Sequence, residues 1–262
     1  MRLHQLDAVI KQHAPTLIGL QETKATDEDF PIDDIREMGY DVAFMGQKTH
    51  YGVALLYRAE ATSIIKGFEH DTEESQKRLI GGTFKTKDGA PLTVLNGYFP
   101  QGESRSHDTK FPAKQKFYAD LNRYLKETQD PEGAVIVMGD MNIAPVDEDI
   151  GIGDANKKRW LRDGKTSFLP EEREWLKEMT DWGMTDLYRH LHPEVDDKFS
   201  WFDYRSRGFE REPRRGLRID LLLATDTLKD GCTASGIDYD IRAMEKPSDH
   251  CPIWADLNVD LV

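Results

Sequence analysis

Positive charge is in short supply in this 262-residue sequence, where 35 Lys and Arg face 48 Asp and Glu for a formal net charge of −13. That balance gives no general attraction to nucleic acid or anionic lipid. A polyanion would have to be met by cations gathered on one face or by divalent ions held among the carboxylates. Cysteine is nearly absent too. Cys232 and Cys251 are too few for a disulfide scaffold, and the sequence predicts two reduced core thiols. No apolar run approaches the roughly 20 residues of a membrane span, and no charged-then-apolar leader precedes a cleavage site, so a cytoplasmic protein without membrane contact is expected. There is no CxxC, no HExxH and no Cys/His pair at zinc spacing, which removes a structural zinc. The absence of a Walker loop, of GxGxxG after a strand and of GxSxG removes the common nucleotide-binding and serine-hydrolase readings.

What the sequence does contain is enough apolar residues for a substantial core, at 38% hydrophobic with 10% aromatic. Strand-like runs recur: "TLIGLQ", "YGVALLYR", "PLTVLNGYF", "AVIVMGDMN", "IDLLLAT" and "CPIWADL". Helical stretches lie between them. In "KFPAKQKFYADLNRYLKETQ" the residues Phe117, Leu121 and Leu125 recur at four-residue spacing, and "PEEREWLKEMTDWG" has Pro170 suited to its start and Gly183 to its end. Leu3, Leu6, Val9 and Ile10 predict a further helix from the first residues, with no Ser, Thr, Asp or Asn before it as a cap. Hairpin-like stretches are expected around Tyr51 to Lys85. The alternation predicts an α/β protein with one domain over residues 1–262.

Polar or ionisable residues stand where several of these apolar runs stop: Glu22, Tyr98, Asp140 with Asn142, Asp220, and Asp249 with His250. Loops at strand ends are where α/β enzymes carry their chemistry. In "VIVMGDMN", Gly139 reads as a tight turn, and Asp140 and Asn142, two apart in an extended segment, would face one site. The pair could orient and deprotonate a water, hold a metal or support an oxyanion; an Asx turn at a strand exit is the bland reading. Asp249 suits a hard cation, and His250 suits proton transfer or a phosphoryl contact. Asp220 could fix the tautomer of a histidine, or simply pair with Arg218. Glu22 reads as a metal carboxylate or a solvated turn. The Tyr98 phenol is a phosphate donor or the wet end of a core residue.

Several longer stretches carry a resemblance: "IGLQETK", "HYGVALL", "NGYFPQGES", "FPAKQKFY", "VMGDMN", "KRWLRDGKTSFLPEEREW", "FSWFDYRSRGF", "GLRIDLLLA" and "GIDYDIRAMEKPSDH". In this order and over essentially the whole length they resemble bacterial exonuclease III, a branch of the endonuclease/exonuclease/phosphatase superfamily. The resemblance implies a four-layer α/β sandwich of two packed mixed sheets flanked by helices. It also implies a DNA-repair nuclease using Mg²⁺ or Mn²⁺ on double-stranded DNA, a 3′-to-5′ exonuclease that incises 5′ to abasic sites and cleans 3′ ends, acting as a monomer. By position, Tyr98, Asp140, Asn142, Asp220 and His250 match catalytic residues. Asp140 matches the base that activates water, Asn142 a transition-state donor, and Asp220 the group that orients His250. Glu22, Asp140, Asn142, Asp249 and His250 match the metal surroundings. Trp201, Phe202 and Leu217 match the pocket for an extruded abasic sugar, with Lys110 and Gln101 as further substrate contacts. Lys114, Lys157, Lys158, Arg159 and Lys165 are candidates for backbone phosphates, against the bland reading of helix-surface charge.

In one respect the sequence departs from this pattern. The family opens with a strand of the type "SFNINGLRAR", whose asparagine reaches the metal site, and here "MRL" joins directly to "HQLDAVI". The expectation is therefore either a foldable protein with reduced or metal-demanding activity, or a start placed at an internal Met of a longer native protein. A catalytically impaired DNA-binding homologue and a phosphatase on small phosphoesters are the competing readings. Retention of the seven strand-end residues speaks against a pure binder.

Overall fold

The computed structural model describes residues 2–262. The chain runs α1 (Leu3–His13), β1 (Leu17–Gln21), α2 (Ile32–Glu37), β2 (Asp41–Met45), β3 (Val53–Tyr57), β4 (Ala61–Lys66), β5 (Leu79–Lys85) and β6 (Pro91–Tyr98). It continues through α3 (Lys110–Thr128), β7 (Ala134–Asp140), α4 (Asp154–Arg162), α5 (Pro170–Trp182), β8 (Met184–Asp186) and α6 (Leu187–Leu191). The last elements are β9 (Asp220–Thr225), α7 (Asp226–Lys229), β10 (Cys232–Ile237), α8 (Tyr239–Arg242) and β11 (Ile253–Leu257).

A six-stranded sheet in the order β4-β5-β6-β7-β9-β8 is mixed, since β6 and β7 are parallel and its other neighbours antiparallel. Alternating side chains divide its faces between two cores. Leu95, Val135, Val137, Leu221 and Leu223 meet Phe117, Tyr118, Leu121 and Leu125 of α3 and Leu176 and Met179 of α5. Their neighbours Leu92, Val94, Ile136 and Ala224 turn the other way, to Val53 and Leu55 of the facing layer. A third core joins Ala54 and Leu56 of β3 to Leu6 and Ile10 of α1 and Ile35 of α2. Helix, sheet, sheet and helix thus form the four layers expected. The helix periodicity holds, with Pro170 at the first turn of α5 and Gly183 past its end, and α1 begins without a side-chain cap.

The facing layer departs from a continuous sheet. It consists of β1-β3-β2 and, separately, β10-β11, both antiparallel. Among the described residues β1 pairs with β3 alone and β11 with β10 alone. Because β1 packs over β6 and β7 while β11 packs over β9, their unpaired edges flank a stripe above β7 and β9. Met138 and Leu222 stay half-buried there, and every residue of β1 is half-buried. Of the hairpin-like stretches expected around Tyr51 to Lys85, β4 and β5 form an antiparallel pair, while β3 belongs to the other sheet. Both cysteines are free and buried, and no helix among the described residues is long and apolar enough to cross a membrane.

Candidate active site

Register places the first three groups in a row. Tyr98 stands opposite Asp140 across the parallel β6–β7 pair, and Asp140 stands opposite Asp220 across the antiparallel β7–β9 pair. The C-terminal ends of β6 and β7 and the N-terminal end of β9 therefore share one edge of the sheet. Gly139 serves this close approach rather than a turn: it lies inside β7 at φ +135°, and a Cβ there would meet the Gly97 carbonyl oxygen at 2.0 Å. Asp140 and Asn142 do converge, but not through the pleat. Asn142 is left-handed at φ 53°, and its backbone N–H and side-chain amide donate to the two Asp140 oxygens at 3.0 Å each, with a second amide bond to the Phe99 carbonyl at 3.0 Å.

His250 enters from the segment before β11. The Cys251 N–H donates to the Ser200 carbonyl at 2.7 Å and the Phe202 N–H to the Asp249 carbonyl at 2.9 Å, which lays that segment against the loop before β9. The buried Ser200 hydroxyl accepts from the N–H groups of Ile219 and Asp220, both at 3.0 Å, fixing the start of β9. His250 Nδ1 then lies 2.9 and 3.0 Å from the Asp220 oxygens, and Nε2 lies 3.9 Å from Asp140 Oδ2. Asp220 therefore pairs with His250. Arg218 goes instead to Asp149 and Asp186, at 2.7 and 2.6 Å, and is 1% exposed.

Burial drives the electrostatics. It pushes the Asp140 carboxyl up to about 7, with the His250 charge opposing and Asp220 and Glu22 adding to the rise. For His250, burial acts against the charged ring, yet Asp220 and then Asp140 outweigh it and bring the group up to about 10. Tyr98 is held neutral well above its usual range, by burial first and by its hydrogen bond to Glu22 second. That bond runs from the phenol to Glu22 Oε1, while Lys24 pairs with Glu22 at 2.8 Å.

One ligand atom each from Asp140, Asp220 and His250 can gather within 4.8 Å. A donor set of carboxylate oxygens with one imidazole, and no thiolate, fits a divalent cation with oxygen or mixed oxygen–nitrogen preference. Of the expected metal surroundings, Asp140, Asn142 and His250 are in direct company. Glu22 faces them across Tyr98, and Asp249 accepts from the Trp201 indole N–H at 3.1 Å. Trp201 is half-buried and shares backbone bridges with Leu217 and His250. Phe202 and Leu217 are buried, the former among Phe199, Phe209 and Tyr239. Lys110 is exposed and paired with Glu103 at 2.5 Å, and Gln101 donates to Thr166 at 3.1 Å. Lys157 pairs with Asp147, and Lys165 lies over the Trp160 ring. Lys114 is no phosphate contact in this structure, because it is fully buried against Glu172.

Residue-by-residue reading missed Arg78, which precedes β5. Its guanidinium lies 4.8 Å from the Tyr98 ring centre and 4.5 Å from that of Tyr51, and it donates to the Tyr98 carbonyl at 2.9 Å. This places a cation against the Tyr98 end of the strand-end row, brought there by the antiparallel β5–β6 register. Ser200 was missed as well. No local motif marks either residue, since each matters only through strands that meet in space.

Residues 1–250 match the Endonuclease/Exonuclease/phosphatase family. The exodeoxyribonuclease III of Haemophilus influenzae is 57% identical over 255 residues, covering 97% of this chain and 94% of that protein. Among solved structures, a 3′ phosphatase from Neisseria bound to a product DNA hairpin superposes with a TM-score of 0.86 at 31% identity, covering 98% of this chain and 94% of the other. An AP endonuclease from Archaeoglobus fulgidus superposes at 0.87, also with 31% identity, covering 98% and 95%. With a family match over residues 1–250 and 57% identity to an exodeoxyribonuclease III across 97% of its length, the chain belongs to the endonuclease/exonuclease/phosphatase family, in its bacterial exonuclease III branch.

Proposed function

We propose that this protein is a DNA-repair nuclease that hydrolyses phosphodiesters in double-stranded DNA, working from 3′ ends and 5′ to abasic sites and cleaning blocked 3′ termini. The observation that carries the reading is the buried row Tyr98–Asp140–Asp220 with His250 held on Asp220. Phosphodiester hydrolysis needs an in-line water, stabilised phosphoryl oxygens and help for the leaving 3′-oxygen. Asp140, raised toward neutrality and braced by the Asn142 amide, takes the water's proton. His250, kept cationic by Asp220, donates to a phosphoryl oxygen, and the neutral Tyr98 phenol is a second donor. Mg²⁺ or Mn²⁺ would be held by Asp140 and Asn142, with Glu22 and Asp249 around them, and would neutralise the charge that grows on the phosphate and the leaving oxygen. The cationic His250 ring, with a proton on each nitrogen, serves as donor and not as ligand.

Trp201, Phe202 and Leu217 are assigned to an extruded abasic sugar, which has no base to unstack, and Lys110 and Gln101 to the adjoining backbone. The same reading has residues 1–262 acting as one domain and one monomer in the cytoplasm.

The test is incubation with a duplex carrying one abasic analogue, in Mg²⁺, in Mn²⁺ and in EDTA. Incision 5′ to the lesion, abolished by EDTA and by Asp140→Ala, is the expected result. Binding without incision in either metal would replace the nuclease with a DNA-binding homologue, and release of phosphate from small esters alone would replace it with a phosphatase.

A further inference from the structure

Lys114 of α3 and Glu172 of α5 form an ion pair that solvent does not reach, both side chains being 0% exposed with Nζ 2.5 Å from Oε1. Taking two charges out of water is costly, and apolar residues of similar volume commonly serve stability at least as well. Joining α3 to α5 is therefore an incomplete reason for the pair. Its other bonds supply a better one. Lys114 Nζ also donates to the Asn142 carbonyl at 2.8 Å and the Gln101 carbonyl at 3.4 Å. Glu172 accepts from the N–H groups of Ser167 and Leu169 with its second oxygen, both at 2.8 Å, and the Ser167 carbonyl in turn takes the Ala144 N–H at 2.7 Å. The segment Asn142–Ala144 is thus gripped at both ends by one buried pair.

Asn142 lies at φ 53°, in the left-handed region that Asn tolerates better than other side chains but that competes with the commoner right-handed and extended conformations, so the turn needs holding. Were the turn to relax, only the Phe99 carbonyl would remain to keep the side-chain amide beside Asp140 Oδ2. We propose that Lys114 and Glu172 are a positioning pair for Asn142, the buried ammonium pinning its carbonyl so that the carboxamide stays on Asp140. The kinetic part of this inference rests on the nuclease reading; the geometric part does not.

The test is the double variant Lys114→Met/Glu172→Leu, which removes both charges and keeps the bulk. Two readouts are used: turnover on the abasic duplex, and hydrogen exchange of the Asn142 side-chain NH₂ signal, identified by its loss in Asn142→Ala. The expected result is a kcat about 100-fold lower with KM changed less than about twofold, and an Asn142 amide that exchanges faster while the β7 backbone amides keep their protection. A folded double variant with parental kcat and parental Asn142 exchange overturns the proposal. If the double variant does not fold, Glu172→Gln, which keeps the volume and an acceptor, is read in its place. It should show about a tenfold loss in kcat with faster Asn142 exchange, and parental values for both overturn the proposal. A parent chain that does not incise the duplex overturns the nuclease reading alone, and the Asn142 exchange then decides the positioning role.

Discussion

His250 directs Nδ1 at both carboxylate oxygens of Asp220, at 2.9 and 3.0 Å, and leaves Nε2 3.9 Å from Asp140. Asp220 therefore fixes both the orientation and the charge of the ring. Asp220→Asn keeps the shape and removes the charge, so the ring loses the leading influence that holds its pKa near 10. Incision should fall about 10²- to 10⁴-fold, with affinity for the abasic duplex unchanged. An NMR titration of the His250 ring should show its midpoint moving down. A midpoint unchanged from the parent would refute this account of the pair.

Metal binding should depend on pH through Asp140. A carboxyl raised to about 7 keeps its proton into the neutral range, and a cation must displace that proton. Affinity for Mn²⁺ should accordingly rise about tenfold per pH unit below the Asp140 midpoint and level off above it. The measurement is the increase in thermal midpoint on adding Mn²⁺ between pH 5.5 and 8.5, since a ligand that binds only the folded state stabilises it by mass action. Asp140→Ala should leave that increase small and flat with pH.

Arg218 tests the frame beneath the site. It is buried between Asp149 and Asp186, with four hydrogen bonds of 2.6 to 3.2 Å to their carboxylates. Arg218→Met removes the buried cation that two carboxylates share, leaving them Arg189 and backbone N–H donors, and should destabilise the protein by about 3–5 kcal/mol in urea unfolding. A loss below about 1 kcal/mol would mean that Arg189, which also reaches Asp149, suffices alone.

The divided facing layer makes a prediction about strand addition. Extending the chain at its N-terminus with an apolar extended segment that carries an asparagine should fill the stripe between β1 and β11. It would satisfy unpaired edge groups at about 0.5–1.5 kcal/mol per hydrogen bond and raise incision by up to about 10²–10³-fold. Equal rates with and without the extension would show that the asparagine contributes nothing here. The check is a side-by-side rate and melting comparison in Mg²⁺.

Much of this molecule was legible from local pattern. The spacing of Phe117, Leu121 and Leu125 marked α3 and its buried face, and the strand-end position of Asp140 marked a site, because periodicity and chain breaks are properties of a short window. Lys114 was legible in part: it lies three residues before Phe117, on that same buried face, yet a lysine on a helix reads as surface unless its partner is known. Glu172 lies 58 residues away, and no window spans that distance.

The sequence by itself determined the three helices α1, α3 and α5, the six strands β1, β3, β6, β7, β9 and β11, and which side chains stand at their ends. Those follow from backbone preferences and from burying one face of each element. Tertiary structure alone decided that Tyr98, Asp140 and Asp220 form one row, because strand order and register are set by packing between elements far apart in the chain. It also decided that Asp220 takes His250 rather than Arg218, since the loop holding Ser200 and the segment before β11 must meet before those charges can sort.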